Sequence, residues 1–600
     1  MRNSGPAFFG TRIVTCSELT AYALRVQVKL DEYAYALPIK KLKGTEPVES
    51  LDLSNKHLGA ASAIVIASLI GVNVALTSVE LRGNQLGDEG WGAIFAAICG
   101  NKDSKIMSLD ASCEHISPDG VQLIAEALRT SFTGGLTKIS LAQNDLEEEG
   151  TKAICEALKQ NKTLKELDLS GLGRSNIGRA SGAKHVADML GVNCALTELS
   201  IYGNHVGDEG VGAICEAIQS NKETKLASLN LGFNSIHQVG AKYVEAMVAV
   251  TGRLTVTNLL GNQLDAEPAK LLAEVAKKKG ISLCGIQRDQ TTADFSYKTL
   301  KPSDAILLLS DLSQAVVTGT LTECNIRGNF LDSKSAEELA KIGTEKGIML
   351  FGIKRDQKEA NFANLGLGPA DAILISSDLV IGALTVANLL GNRLDAESAK
   401  TLAEVAKQKG ISLCGIQRDQ TTADFFGKGL QPPDAILLAS DLSQAVVTGS
   451  LTVANLLCNR LDAESAKTLA EVAKQKGISL CGIQRDQTTA DFFGKGLQPP
   501  DAILLASDLS QAVVTCALTH LSLVDNIKLG DEGVEALSVA IGQSISLSKL
   551  DLSNSVSSTM FGPKGAAALA KALAINSSLT QIEYAPPTRT TEGGQIVASI

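Results

Sequence analysis

The chain has 600 residues, of which 44% are hydrophobic and 20% charged, with a formal net charge of −10. That much apolar material excludes global disorder, and the acidic balance argues against a nucleic-acid or anionic-membrane binder, since both need a basic surface. Aromatic residues are only 4%, so the interior must be built from Leu, Ile, Val and Ala, with little ring surface for stacking on bases.

In chain order, the first sixteen residues contain Phe8-Phe9, but Arg12 interrupts them, so no signal-peptide core is expected. Residues 59–76 form an uncharged run of eighteen, the length at which a membrane helix must be weighed. Asn73 breaks that run and Leu76 opens the next strand, so a buried helix followed by a loop is predicted.

A pattern Leu-x-x-Leu-x-Leu-x-x-Asn-x-Leu then governs the chain. It fits Leu76, Val79, Leu81, Asn84, Leu86, and again Leu136, Ile139, Leu141, Asn144, Leu146. Two more copies start at Leu196 and Leu226, and weaker ones at Val48, Ile106 and Leu164, with spacings of 28, 30, 30, 28, 32 and 30 residues. Several copies run on into Gly-Asp-Glu-Gly and a helical stretch, as at 207–218. Apolar residues at positions 1, 4 and 6 turn a short strand's side chains inward. The Asn at position 9 can bond the backbone of neighbouring turns, and the helix returns the chain. Each repeat buries its apolar faces only against its neighbours.

From residue 48 to 584 this resembles the leucine-rich repeat family, ribonuclease-inhibitor type, also found in the sensor end of NOD-like receptors. The resemblance implies an α/β solenoid, a horseshoe with a parallel concave sheet and convex helices. Residues 1–47 are expected to cap the first repeat, and 48–253 to hold repeats of about 28–32 residues.

The unit changes at Leu254. Strands opening at Leu254, Leu321, Leu384, Leu451 and Leu518 are 67, 63, 67 and 67 residues apart, so 254–517 reads as four tandem two-repeat units. In the third unit the first repeat is Leu384 to Gly410, with Ala399, Leu402, Ala403 and Ala406 forming one helix stripe. The second is expected to open its strand at Ile411-Ser-Leu-Cys414-Gly-Ile416, followed by a long loop and a helix near Pro433. Units 384–450 and 451–517 agree at 64 of 67 positions. Residues 518–600 supply the last repeats and a cap, for eighteen strand copies in all, and the tail from Pro586 is expected to fray.

Signatures of chemistry are missing. No Gly-x-x-x-x-Gly-Lys-Ser/Thr loop, His-Glu-x-x-His pair, Cys-x-x-Cys pair or Gly-x-Ser-x-Gly elbow occurs. No catalytic, cofactor-binding or metal-ligating residue is therefore assigned, and the nucleotide-binding module of NOD-like receptors has no counterpart. Six His stand isolated; His205 and His237 follow pattern asparagines and read as solvated turn residues. Of twelve Cys, Cys284, Cys414 and Cys481 share one repeat position and Cys155 and Cys215 another. Equivalent positions in an array lie far apart along its axis, so buried reduced thiols in a cytoplasmic protein are expected.

One constellation stands out. Arg288-Asp289-Gln290 recurs at Arg355, Arg418 and Arg485, each just before the long loop, and each loop carries Phe295, Phe362, Phe425-Phe426 or Phe492-Phe493. On one reading, Asp and Gln bond loop backbone while one Phe plugs the edge. On the other, Arg288, Arg355, Arg418, Arg485, Phe425, Phe426, Phe492 and Phe493 present anchors to a partner. The expected function is a non-enzymatic protein-interaction scaffold, regulatory or signalling, in the cytoplasm. It would bind protein, without nucleic acid, membrane or cofactor, and the sequence leaves its oligomeric state open. The alternatives are a Ran-type GTPase-activating protein, whose acidic tail has no match in the final residues, and a structural component of a cilium or flagellum.

Overall fold

Three-residue strands are the shortest that still alternate, and only the middle side chain of each turns inward. Val79, Leu109, Leu167, Leu199 and Leu229 hold that place and are buried, with position-1 and position-6 residues such as Leu76 and Leu81 beside them. The computed structural model describes residues 35–130, 135–554, 560–584 and 596–599. The greater part of the expected N-terminal cap, and most of the tail from Pro586, lie outside the described residues.

The chain divides into two compact units, residues 1–291 with 298–321, and residues 292–297 with 322–600. In the first unit eight strands, Ser50–Asp52, Ser78–Glu80, Ser108–Asp110, Lys138–Ser140, Glu166–Asp168, Glu198–Ser200, Ser228–Asn230 and Val256–Asn258, form one parallel sheet in chain order. A helix follows each strand and packs on the helices before and after it. Glycine makes that approach possible: a Cβ on Gly210 would come within 2.9 Å of the Ala183 Cβ. The uncharged run resolves as helix Ala60–Ile70, and Asn73 beyond it bonds the Lys41 and Leu42 carbonyls and the Leu76 N–H. Among the described residues no helix is long and apolar enough to cross a membrane.

The position-9 asparagines form a ladder. Asn204 Oδ1 accepts the N–H groups of Asn176 (2.7 Å) and Ile177 (3.2 Å), and its Nδ2 donates to the carbonyls of Leu169 and Ile201, both at 3.0 Å. Asn234 takes the Asn204 N–H at 2.9 Å and passes the arrangement on. In the third repeat Glu114 stands in this slot, accepting from the N–H groups of Asn84 and Leu86 and from Trp91 Nε1. Burial pushes its carboxyl above the usual range.

The second unit holds parallel pairs Thr292–Asp294 with Glu323–Asn325, Glu359–Asn361 with Val386–Asn388, and Thr422–Asp424 with Val453–Asn455. A five-stranded sheet follows: Thr489–Asp491, His520–Ser522, Lys549–Asp551, Gln581–Tyr584 and an antiparallel Ile596–Ser599. The described residues contain eighteen parallel strands, the number expected, but four sit about ten residues later than the pattern placed them. The segment expected to be a loop carries the strand.

In the third unit the laddered strand is Thr422–Asp424, not Ile411–Ile416. Ala423 fills position 4 and Phe425 takes the leucine place at position 6. Leu430 takes position 11, its N–H held by Asn459 at 3.0 Å. Gln420 thus sits at position 1, and helix Pro432–Ser443 completes that repeat. Residues 411–416 form an extra layer that pairs on one side only. The Ser412 and Leu413 carbonyls accept the Ala387 and Leu389 N–H groups at 2.7 and 2.9 Å. On the other side no strand receives the layer's own N–H groups, so Leu413 and Cys414 donate to the carboxylate of Asp441 at 2.9 and 3.0 Å.

Candidate protein-binding surface

The Arg-Asp-Gln motifs lie in the turn between this extra layer and the next strand. All four arginines are exposed. Nη2 of each donates to the carbonyl of the glycine that ends the preceding helix: Arg288 to Gly280 (3.2 Å), Arg418 to Gly410 (3.4 Å), Arg485 to Gly477 (3.3 Å), and Arg355 to Gly347. Those helix ends leave carbonyls unpaired, and a cation there also suits the helix dipole. The glutamine closes the turn: Gln420 Oε1 accepts the Gln417 N–H at 3.1 Å and Nε2 donates to the Thr422 carbonyl at 2.6 Å. Gln487 repeats this with Gln484 and Thr489.

The phenylalanines follow the strand, so Arg and Phe stand at its opposite ends and are not brought into one patch. Within each pair the two rings part company. Phe425 and Phe492 are buried as position-6 core residues. Phe426 is half-buried, and Phe493 is 56% exposed. Single rings are used inside the fold elsewhere: Phe362 is buried edge-on to Phe351 at 5.4 Å, and the Arg327 guanidinium lies 5.4–5.9 Å from Tyr297, Phe351 and Phe362. Lys495 Nζ is 5.5 Å from the Phe426 ring.

Sequence reasoning missed a recurrent buried carboxylate. Asp311, Asp378, Asp441 and Asp508 sit inside the helices that follow each extra layer and are fully shielded. Asp311, Asp441 and Asp508 each accept one serine hydroxyl, from Ser282, Ser412 or Ser479 at 2.6–2.7 Å, and two backbone N–H groups. Burial outweighs these bonds and pushes each carboxyl up to about 6. For Asp378 Met349 stands in the serine's place, leaving the N–H groups of Leu350 and Phe351 as donors, and burial, with the Glu323 charge adding to it, pushes the carboxyl up to about 7. The signal was the recurring Ser-Asp-Leu at 310–312, 440–442 and 507–509, an acid inside an otherwise apolar helix.

The repeat cysteines are core residues. Cys155, Cys215, Cys284, Cys414 and Cys481 are buried, and burial raises the thiols of Cys155, Cys215, Cys414 and Cys481 far above their ordinary value. His205 and His237 are exposed, and His205 Nδ1 lies 3.3 Å from Ser235 Oγ, its counterpart one repeat on. Beside it, in the first unit, is an open cavity of about 370 Å³ lined by Tyr202, His205, Phe233, Lys301 and Asp304. The Asp304 carboxylate is taken up by the N–H groups of Gly261 and Lys301, both at 2.8 Å. Among the described residues no group of three His, Cys, Asp or Glu is placed to hold a metal ion.

Comparison with known proteins agrees with this architecture. A family model described as Leucine Rich repeat matches residues 72–95, 192–215 and 516–538. NACHT, LRR and PYD domains-containing protein 13 of Homo sapiens is 30% identical over 174 residues, 29% of this chain and 16% of that protein. Ribonuclease inhibitor of Mus musculus is 26% identical over 239 residues, 39% of this chain and 50% of the inhibitor. The Sus scrofa inhibitor is 28% identical over 220 residues, 36% and 46% of the two chains. The matched regions thus span half or less of these relatives. A leiomodin-1 actin-binding fragment overlays 25% of the chain at 20% identity and a TM-score of 0.22, too low to bear on fold or function.

Proposed function

We propose that this chain, a leucine-rich repeat protein of ribonuclease-inhibitor-like type, is a non-enzymatic scaffold that binds a protein partner in a reducing, cytoplasmic setting. The observation that carries the reading is the second ring of each Phe pair. Phe425 and Phe492 already fill the core, so Phe426 and Phe493 add nothing to it that one ring would not. Aromatic side chains standing beside a preformed strand face are the residues that anchor interfaces. The ribonuclease inhibitors are named for binding that controls a protein, and a regulatory role here is the corresponding extension. The exposed Arg288, Arg355, Arg418 and Arg485 form a second row of contacts at the opposite strand ends, each with guanidinium donors to spare.

Affinity capture with the full chain tests this reading. Phe426→Ser with Phe493→Ser is expected to remove the captured partner while leaving the thermal transition nearly unchanged. Arg418→Glu with Arg485→Glu is expected to weaken capture more than either single change. Undiminished capture by a variant carrying all four changes would remove this surface from consideration. GTP turnover accelerated by the purified chain would instead favour the GTPase-activating alternative.

A further inference from the structure

Three times within the second unit the parallel sheet stops and starts again. The extra layers at 348–353, 411–416 and 478–483 each pair back onto the strand before them, through Glu323 with Met349, Val386 with Ser412 and Val453 with Ser479. The strands that come next, Glu359–Asn361, Thr422–Asp424 and Thr489–Asp491, pair only with the strand after them. Among the described residues no backbone hydrogen bond joins one of these layers to the strand that follows it. Each such place is a seam in the ladder.

An ordinary junction is laddered throughout. Between Glu198–Ser200 and Ser228–Asn230, the Ala227 and Ser228 N–H groups donate to the Thr197 carbonyl, and those of Ile201 and Gly203 to the Asn230 and Gly232 carbonyls, at 2.8–3.1 Å. Asn234 adds its amide oxygen, which accepts the Asn204 N–H. At the seams position 9 of the later repeat is Leu365, Lys428 or Lys495, so the asparagine ladder is interrupted as well. The strand edge facing the seam is closed within its own turn. Gln357, Gln420 and Gln487 donate from Nε2 to the carbonyls of Glu359, Thr422 and Thr489 at 2.6–2.7 Å.

Side chains of the next helix span the seam instead. In helix Pro432–Ser443, Asp434 accepts the Gly391 N–H at 2.9 Å and Asp441 holds Ser412, Leu413 and Cys414, while Ser440 Oγ donates to the Ala403 carbonyl at 3.3 Å. Asp434 and Asp441 lie two turns apart on one helix face. Helix Pro499–Leu509 repeats this with Asp501, Asp508 and Ser507, and helix Pro369–Ile381 with Asp371, Asp378 and Ser377. The helices pack across a seam as they do elsewhere, Ala396–Lys409 against Pro432–Ser443. Opening an ordinary junction breaks a backbone ladder. Opening a seam breaks bonds to carboxylates whose ionised form burial disfavours, and returns those carboxylates to water.

We propose that the three seams are joints, at which the second unit opens on its strand side while the flanking helices stay packed. The unit then moves as blocks, 359–416 and 422–483 among them, and not repeat by repeat. Strand spacing is fixed within a block and adjustable between blocks. The joints go beyond the scaffold reading and do not depend on which residues meet a partner.

Hydrogen exchange on the full chain, resolved to single amides by electron-transfer fragmentation, is the test. Leu413 and Cys414 are 0% and 3% exposed, and Ala387 and Leu389 0% and 1%, so all four N–H groups exchange only through opening. Ala387 and Leu389 donate into the layer within a block, whereas Leu413 and Cys414 donate across the seam. At neutral pH, corrected for intrinsic rates, Leu413 and Cys414 are expected to exchange at least about tenfold faster than the other two, while helices Ala396–Lys409 and Pro432–Ser443 keep their protection. Leu480 and Cys481 should stand in the same relation to Ala454 and Leu456. Ser412→Ala, which takes one donor from Asp441, should widen the gap several-fold without moving Ala387 or Leu389. Equal protection on the two sides of the layer, helix protection lost together with the seam amides, or a Ser412→Ala effect shared by all four amides would each overturn the joints.

Discussion

Replacing Asp441 by Ala removes the acceptor of three buried donors: the Ser412 hydroxyl at 2.7 Å, the Leu413 N–H at 2.9 Å and the Cys414 N–H at 3.0 Å. A buried donor left without an acceptor costs about 1–3 kcal/mol, so the gross loss is roughly 3–9 kcal/mol. Part of this is offset at neutral pH. Burial raises the carboxyl from 3.8 to about 6, and a shift of about two units means that ionising it inside the fold costs about 3 kcal/mol. The variant no longer carries that cost, so its net loss at neutral pH centres near about 3 kcal/mol. The native carboxyl keeps its proton up to about 6, whereas the unfolded chain releases it near 3.8. Stability from this group therefore falls as pH rises through that window and is flat above it. The gap between parent and variant must widen on acidification, by about 1.4 kcal/mol per pH unit below 6. Hydrogen exchange at about pH 5 and about pH 7.5, corrected for intrinsic rates, reads the loss locally, as repeat arrays require. Protection should fall over residues 411–450, and fall further at the lower pH. A pH-independent loss, or unchanged protection at 411–419, would refute the assignment of Asp441 as the partner of the extra layer.

Phe425→Ala should cost about 3–5 kcal/mol as a core truncation, whereas Phe493→Ser should stay within about 0.5 kcal/mol; paired thermal melts decide between them. Cys284, Cys414 and Cys481 should resist alkylation in the native state, while the exposed Cys194 and Cys516 label rapidly, as read by peptide mass mapping. Leu231→Ala should cost roughly 2–5 kcal/mol, with exchange protection lost mainly over residues 226–254, because coupling runs to nearest neighbours.

The sequence by itself determined the strand–helix repeat, the asparagine ladder and the buried thiols. In each case the side chain's local chemistry and its periodic place say the same thing. Asn204 bonds the turn before it because an amide at position 9 can serve both backbone donors and acceptors there, and Cys284, Cys414 and Cys481 are small, apolar and share one repeat position, which Phe351 fills in the remaining unit. The pairing of buried and exposed rings was half legible, since two adjacent phenylalanines cannot both point inward from one strand. The phase of the long units was not legible. Ile411-Ser-Leu-Cys414-Gly-Ile416 fits the pattern at positions 1, 4 and 6 better than Gln420, Ala423 and Phe425 do. Only tertiary contacts decide against it. Asp441, about thirty residues later, draws the Leu413 and Cys414 N–H groups inward, so they are no longer offered to a following strand. Asn459, at a similar distance, holds the Leu430 N–H and fixes Thr422–Asp424 as the laddered strand. A window along the chain sees which residues can enter a core. It cannot see which of two candidate strands has its backbone groups satisfied by residues a full repeat away, and that satisfaction set the register here.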